Sequence, residues 1–432
     1  MRAALVFVLV LSSLLAPRLS AQPPPVDSPQ AAFSLYAHAF LDSERNPTVA
    51  VNVNVPYSSL IFLKKGAAFQ SEYAAYIKIL DKKNRLVDTA VLNEAVVVED
   101  YEATRSARMS AKSSASFGLP PGDYLVECVV EVKNTLRVFE KSVPVTMPEF
   151  PKAGLALGTP RLYAVAVDTS ASVTVVPVLS ESHVSGPLEE EEHEGTLFAE
   201  LDRHPVVRFE VYAQEETSDS MTGELYFEVL DDKKTVHAYG RRNVTITGLK
   251  NDFVVCLDVD EWDPGPYVFV AKALEGDPVR ETTATLDFVL GYTASMLTRH
   301  FERTIAILAL IATPEEIDGI KNAPEAERAR LWGTFWAKRD PSPGTGQNEA
   351  LTEHLRRVHQ AIDRYSDGGE GWRSDRGKVY IKYGEPDHTE VRIDAQNQGE
   401  YLLWHYYEEG LTFVFYDRMG LGEYRLTDSS QL

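Results

Sequence analysis

The chain has 432 residues and a formal net charge of −21 at pH 7, with 44% hydrophobic residues. That composition is globular, and its length suits two to four domains. The acid excess excludes a nucleic-acid partner, because no basic surface is present to displace phosphate counterions. Most of the excess falls before Gly291, where solubility is its plain reading and an acidic binding face the sharper one.

The first residues have the order of an export signal. Arg2 is a short basic start, and Ala3 to Ala16 is an apolar run too short to span a bilayer comfortably. Leu19-Ser20-Ala21 places small residues before an expected cut after Ala21. Residues 1–21 read as a signal peptide rather than a membrane anchor, and 22–29 as a linker stiffened by Pro23-Pro24-Pro25. No cysteine follows the cut, so no lipidated start is expected. The longest later apolar run, Ile305 to Ala312, is cut by Thr313-Pro314, so no transmembrane segment is expected in the mature chain.

Residues 30–290 alternate between short apolar-polar strands and Gly, Pro, Asp or Asn turns, the pattern of antiparallel β-sandwiches. An internal repeat divides them. Tyr76-Ile77-Lys78-Ile79-Leu80-Asp81 matches Tyr226-Phe227-Glu228-Val229-Leu230-Asp231, and Pro121-Gly122-Asp123-Tyr124 matches Pro264-Gly265-Pro266-Tyr267, in the same order. Two tandem Ig-like sandwiches, 30–150 and 158–290, follow from it, joined through Pro148-Glu149-Phe150-Pro151. Cys128 falls on the apolar face of its strand with Tyr124 and Val126, as a buried filler. Cys256 falls in the other sandwich, which disfavours a disulfide. The acidic run Glu189 to Glu194 reads as a solvated loop, since it lacks the spaced ligands and glycine of a calcium loop.

After Gly291 the period becomes helical. Helices are expected over Ser295–Ala312, after Thr313-Pro314, after Pro324, and over Asn348–Tyr365, whose stripe is Leu351, Leu355, Val358, Ile362 and Tyr365. Strands are expected at Val379–Tyr383, Glu390–Ile393, Tyr401–Tyr407 and Leu411–Tyr416, with a last one over Glu423–Leu426. The fold class is therefore multidomain: two antiparallel sandwiches, then an α+β domain at 293–432 with helices packed on a small antiparallel sheet. That domain carries enough apolar residues to fold alone.

Between its helices and strands lies Gly371-Trp372-Arg373-Ser374-Asp375-Arg376-Gly377. This stretch resembles the signature of the GWxTD domain family of bacterial secreted proteins. The likeness extends over about 301–426, through Phe335-Trp336-Ala337-Lys338-Arg339-Asp340-Pro341, Asn348-Glu349 and Gly422-Glu423-Tyr424-Arg425-Leu426. Ser374 stands where the family has Thr, which keeps the hydroxyl and loses a methyl. The resemblance implies export and a periplasmic or secreted location, and no established reaction.

Trp372, Ser374, Asp375 and Arg376, with Arg339 and Asp340, are the candidate binding residues. An aromatic supplies contact area, and charged forks supply orientation. The competing reading is structural: Trp372 in the core, Asp375 bonded to local backbone, Arg376 paired to a carboxylate, and Arg339 and Asp340 clamping their own loop or paired across to Asp375 and Arg376. Triads of Ser374, Asp375 or Asp387, and His388, His354 or His405 have no nucleophile-elbow context. His354 and His359 are five apart, which is not zinc-helix spacing. No catalytic residue, metal ligand or cofactor is assigned. Two functions remain: a non-enzymatic envelope binding or scaffold module whose partner is another envelope protein or a peptide, or a periplasmic hydrolase or accessory subunit acting on peptide or glycan.

Overall fold

The computed structural model describes residues 33–427, apart from 107–108, 152–153, 167–179, 182–190, 193–196, 199–202, 214–219, 248–249, 277–278, 342–347, 367–368 and 395–398. The export signal, the Pro-rich linker and most of the acidic run lie outside the described residues. Among the described residues, no helix is long and apolar enough to cross a membrane.

The first β-rich region contains β1 (Ser34–Leu41), β2 (Pro47–Pro56), β3 (Leu63–Lys65), β4 (Ala68–Asp81), β5 (Leu86–Val98), β6 (Ser110–Gly118), β7 (Gly122–Val132) and β8 (Val138–Met147). One sheet has the order β1-β2-β6, and the other the order β3-β4-β7-β8 with β5 also on β4. Alternation selects the facing residues. Val49, Val51, Val53 and Val55 of β2 meet Tyr73, Ala75, Ile77 and Ile79 of β4 and Val126, Cys128, Val130 and Val132 of β7 in one core. Cys128 is a buried free thiol, and burial pushes its pKa up to about 12. Cys256 is also free.

The second region contains β9 (Leu155–Leu157), β10 (Arg161–Ala166), β11 (Ser180–Glu181), β12 (Glu191–Glu192), β13 (Leu197–Phe198), β14 (Arg203–Ala213), β15 (Ser220–Asp231), β16 (Val236–Thr247), β17 (Lys250–Cys256), β18 (Gly265–Glu275) and β19 (Arg280–Leu290). Its sheets have the orders β11-β17-β14-β10-β12, with β9 on β14, and β13-β19-β18-β15-β16.

The repeat occupies equivalent places in the two regions. Asp81 faces Tyr124 across β4 and β7, and Asp231 faces Tyr267 across β15 and β18. A register shift falls at Ile79/Leu80 against β5 and at Val229/Leu230 against β16. The turn after each strand closes identically, with Asn84 N–H donating to Asp81 O at 2.9 Å and Lys234 N–H to Asp231 O at 3.0 Å. Tyr124 donates its hydroxyl to Pro120 O at 2.7 Å, and Tyr267 does the same to Asp263 O at 2.7 Å. Each tyrosine pins the corner four residues upstream, as in Ig-like sandwiches.

The helices are α1 (Ala294–Arg299), α2 (Phe301–Leu308), α3 (Pro314–Lys321), α4 (Glu325–Ala337), α5 (Glu349–Arg364) and α6 (Asp375–Tyr383). The run expected as one helix over 295–312 breaks at His300, whose φ of −111° and ψ of 26° leave the helical region. α3 starts at Pro314 as expected, and Thr313 and Glu316 form a capping box there. Asn348 caps α5 through Leu351 N–H and also donates to Trp336 O at 2.8 Å, tying α5 to the end of α4.

Val379–Tyr383, read as a strand, is the second half of α6. Val379, Tyr380 and Ile381 are buried in succession because this helix is covered on more than one side, which erases the 3.6-residue pattern. The final sheet is an antiparallel meander of β20 (His388–Asp394), β21 (Gly399–Tyr406), β22 (Leu411–Asp417) and β23 (Arg425–Thr427).

The core of the second sandwich does not stop at its last strand. Phe209, Phe253, Phe269 and Phe288 belong to the same buried cluster as Met296, Phe301, Ile305, Trp332, Phe335, Leu351 and Leu355. The division at 30–150, 158–290 and 293–432 remains our proposal, and a cut at 293 crosses this cluster. Residues 293–432 expressed alone are expected to bind hydrophobic dyes and to melt without cooperativity, whereas 150–432 should melt cooperatively. Circular dichroism and dye fluorescence on the two fragments check this. A sharp melt for 293–432 would show that its own core suffices.

Candidate functional site

The Gly371–Gly377 segment is a 3-10 turn, Gly371–Arg373, running into α6. Its glycines are required by space. A Cβ on Gly371 would lie 2.1 Å from Ala361 O and 2.7 Å from Ile362 O, at the end of α5. A Cβ on Gly377 would lie 2.0 Å from Gly371 O. The turn therefore presses against α5 on one side and against the first turn of α6 on the other.

Ser374 is the N-cap of α6. Its Oγ accepts from Gly377 N–H at 3.0 Å and donates to Gly371 O at 2.8 Å. Trp372 is 5% exposed and packs with Val358, Ala361, Tyr365, Tyr380, Trp404 and Phe415. Asp375 accepts from Leu426 N–H at 3.0 Å and from Lys378 Nζ at 3.2 Å, which holds β23 to the start of α6. Arg376 donates to Gly422 O at 3.0 Å and lies over the Tyr424 ring at 4.3 Å and the Tyr365 ring at 5.4 Å. The Arg376 guanidinium thus meets a backbone carbonyl and two aromatic faces.

The Gly422 carbonyl is itself fixed. Asp417, 3% exposed, accepts from Met419 N–H at 3.1 Å and Gly422 N–H at 2.6 Å. Burial alone would raise its pKa, but the backbone donors of the 418–422 loop outweigh burial and lower it. Gly420 and Gly422 have φ of 65° and 86°, which this tight loop around a carboxylate requires.

The contacts of Arg339 lie with α3 and α4. Arg339 pairs with Glu316 of the capping box at 2.7 Å and lies 3.7 Å over the Phe335 ring. It staples α4 to α3. Asp340 is half-buried at the end of α4. Of the histidines considered, His354 is buried against Trp336, with ring centroids 5.1 Å apart, and burial followed by nearby Arg357 lowers its pKa to about 4. His388 and His405 stack on neighbouring strands, 5.7 Å apart. The Ser374 hydroxyl is taken up by backbone.

Beside the motif lies a cleft of about 290 Å³ lined by Glu370, Arg373, Ser374, Glu423, Tyr424 and Arg425. Arg373, with a side chain 65% exposed, lies 4.9 Å over the Trp372 ring and pairs with Glu370 at 3.1 Å. Arg373 stands beside Trp372 in the face read from sequence, whereas Glu423 and Arg425 are not among the residues assigned there. Their signal was the family stretch itself, where charged residues flank Tyr424.

A second cavity, of about 170 Å³, lies where the second sandwich meets the helices. Asp232, His359 and Asp363 converge there. Reasoning from sequence paired His359 with His354, five apart. The informative pair was His359 and Asp363, four apart on one face of α5.

Gly377→Ala is expected to cost roughly 1–3 kcal/mol through overpacking against fixed backbone, and Ser374→Ala about 1 kcal/mol through loss of the cap. Chemical denaturation of the full chain measures both, and a neutral Gly377→Ala would show that the turn yields. Asp417 makes a further prediction. Its folded pKa is lowered, so its stabilisation is complete above the unfolded value of about 3.9 and is lost as pH falls through the folded value. Asp417→Asn should therefore flatten the acid limb of stability against pH, and an unchanged limb would assign acid sensitivity elsewhere.

No curated protein sequence matches the chain. Among solved structures, a glycosyl hydrolase family 2 member from Bacteroides cellulosilyticus is 12% identical, with 56% of this chain and 28% of that chain covered and a TM-score of 0.20. A β-glucuronidase from Bacteroides uniformis is 10% identical, with 56% and 26% covered and a TM-score of 0.21. The C-terminal domain of the AgI/II polypeptide BspA from Streptococcus agalactiae is 8% identical, with 59% and 99% covered and a TM-score of 0.17. This chain thus spans about a quarter of the length of the two hydrolases. The match that identifies a region is to the GWxTD domain model, over residues 286–431. With the interlocked Gly371–Gly377 turn at its centre, the C-terminal region of this chain is a GWxTD domain.

Proposed function

We propose that the protein is an exported, non-enzymatic binding module of the bacterial envelope, and that it holds a peptide segment of a partner protein in the cleft beside the GWxTD turn. The observation that carries this reading is the division of labour in the motif. The polar groups of Ser374, Asp375 and Arg376 contact Gly371, Gly377, Leu426, Lys378 and Gly422 of their own domain. The groups that line the cleft are Glu370, Arg373, Glu423, Tyr424 and Arg425, with Ser374, whose hydroxyl is already bonded to Gly371 and Gly377. They form a rim of both charge signs around an aromatic, with no acid–base pair acting on a nucleophile among them.

A cleft of about 290 Å³ is at the small end of ligand sites, which run from roughly 300 to 1,000 Å³. It suits one or two side chains of an extended peptide. Arginine beside an aromatic is a combination enriched at the centres of protein interfaces. The assigned roles of Trp372, Ser374, Asp375 and Arg376 are then to position this rim, and that of Arg339 to secure the helices behind it. Export follows from the order of residues 1–21.

Arg373→Glu and Arg425→Glu are expected to abolish capture of the native partner from envelope extracts while leaving the melting temperature near that of the parent chain. Affinity capture with the mature chain, read by mass spectrometry and followed by binding to a peptide array of the captured protein, makes the comparison. Equal capture by both variants would overturn the cleft as the binding site.

A further inference from the structure

The seam between the second sandwich and the helices brings together three donor groups from distant parts of the chain. Asp232 stands in the turn that follows β15, and His359 and Asp363 stand one helical turn apart on α5. Their ligand atoms all lie within 4.8 Å of one another. His359 Nε2 is 3.3 Å from Asp232 Oδ2 and 3.3 Å from Asp363 Oδ2.

Both contacts lie within ion-pair distance and slightly beyond that of a direct hydrogen bond. Direct N–H···O bonds run from about 2.7 to 3.2 Å, so both contacts are long. A single Nε2–H also points in one direction and cannot serve two carboxylates well. A metal ion between the three removes the conflict. Zinc–nitrogen and zinc–oxygen bonds of about 2.0–2.2 Å at a tetrahedral angle put neighbouring donors roughly 3.4 Å apart, close to the two 3.3 Å spacings around His359.

We propose that Asp232, His359 and Asp363 form a site for a divalent transition metal of the zinc class, which clips the turn after β15 to α5. One imidazole and two carboxylates suit zinc and its first-row neighbours, whereas calcium takes six to eight oxygens and no nitrogen. Three protein ligands leave the fourth position to water.

The surroundings favour a cation. Asp231 and Asp263 also line the cavity, so that with Asp232 and Asp363 its aspartates outnumber the lining Lys233 and Arg303. The lining arginine, Arg303, is drawn toward Glu370, 3.4 Å away. The side chains of Asp232, His359 and Asp363 are 32%, 27% and 41% exposed, so an ion enters from solvent without opening the core. The ligand-bearing turn is already fixed by the Asp231–Thr235 and Lys234–Asp231 backbone bonds, 3.1 and 3.0 Å long. The proposal is independent of the cleft beside the GWxTD turn.

The test uses the full mature chain after dialysis against EDTA. Titration with ZnCl2 by calorimetry should give one site per chain and a higher melting temperature. Titration with CoCl2 should give the intense visible absorption of a tetrahedral site. His359→Gln and Asp363→Asn should each weaken zinc binding by more than about tenfold and remove the cobalt band. Asp232→Asn, on a surface turn, is a third variant that tests the same ligand set without touching α5. The proposal is overturned if no zinc binds, if zinc binds the variants as it binds the parent, or if calcium is preferred to zinc. An ion pair only would show as an absence of metal binding together with a lower melting temperature for Asp363→Asn.

Discussion

The backbone contact between Gly371 and the last carbonyls of α5 sets the position of almost everything that follows it. A methyl group there would meet Ala361 O at 2.1 Å, and one on Gly377 would meet Gly371 O at 2.0 Å. Neither glycine has a positive φ, so volume, not backbone freedom, selects the residue. Because the turn closes this tightly, Trp372 enters the core and the Ser374 hydroxyl reaches both the carbonyl behind it and the amide ahead of it. The direction of α6 then places Asp375 at the Leu426 amide and Arg376 at the Gly422 carbonyl. The cleft beside Tyr424 is a consequence of that geometry.

Helix α5 joins two cores. Leu351 and Leu355 pack with the aromatics of the second sandwich, while Val358 and Ala361 pack with Trp372, Tyr380 and the final sheet. The same helix carries His359 and Asp363 on its seam-facing side and ends in the carbonyls that receive Gly371. Its amphipathic character is correspondingly strong, and its N-cap is fixed to α4 through Asn348. An end-to-end shift of α5 would disturb the sandwich, the seam and the turn together.

Much of this was legible where the signal was local. Alternation and the Pro-Gly-Tyr turns located the repeat, because a half-buried strand and a tyrosine-pinned corner each leave a pattern within a few residues. Thr313-Pro314 located the start of α3, and the stripe of Leu351, Leu355, Val358, Ile362 and Tyr365 located α5, for the same reason. Val379-Tyr380-Ile381 misled because β-branched and aromatic residues buried in succession read as a strand, and tertiary packing overrode that preference. The two glycines of the motif are visible in the sequence, but the α5 carbonyls that Gly371 approaches are not. The pairing of Arg339 with Glu316 and the meeting of Asp232 with His359 depend on how elements stack, which no window of sequence contains.

The GWxTD match begins at residue 286, inside β19, which runs from Arg280 to Leu290. Phe288 and Leu290 from that strand share a buried cluster with Met296, Trp332 and Leu355. The inherited unit and the folding unit therefore have different edges. A gene fusion that moved only the matched residues to a new host would carry the end of a strand whose neighbour, β18, stays behind. To keep the packing seen here, a recipient would have to offer a β-hairpin that accepts Leu286–Leu290 in the same register.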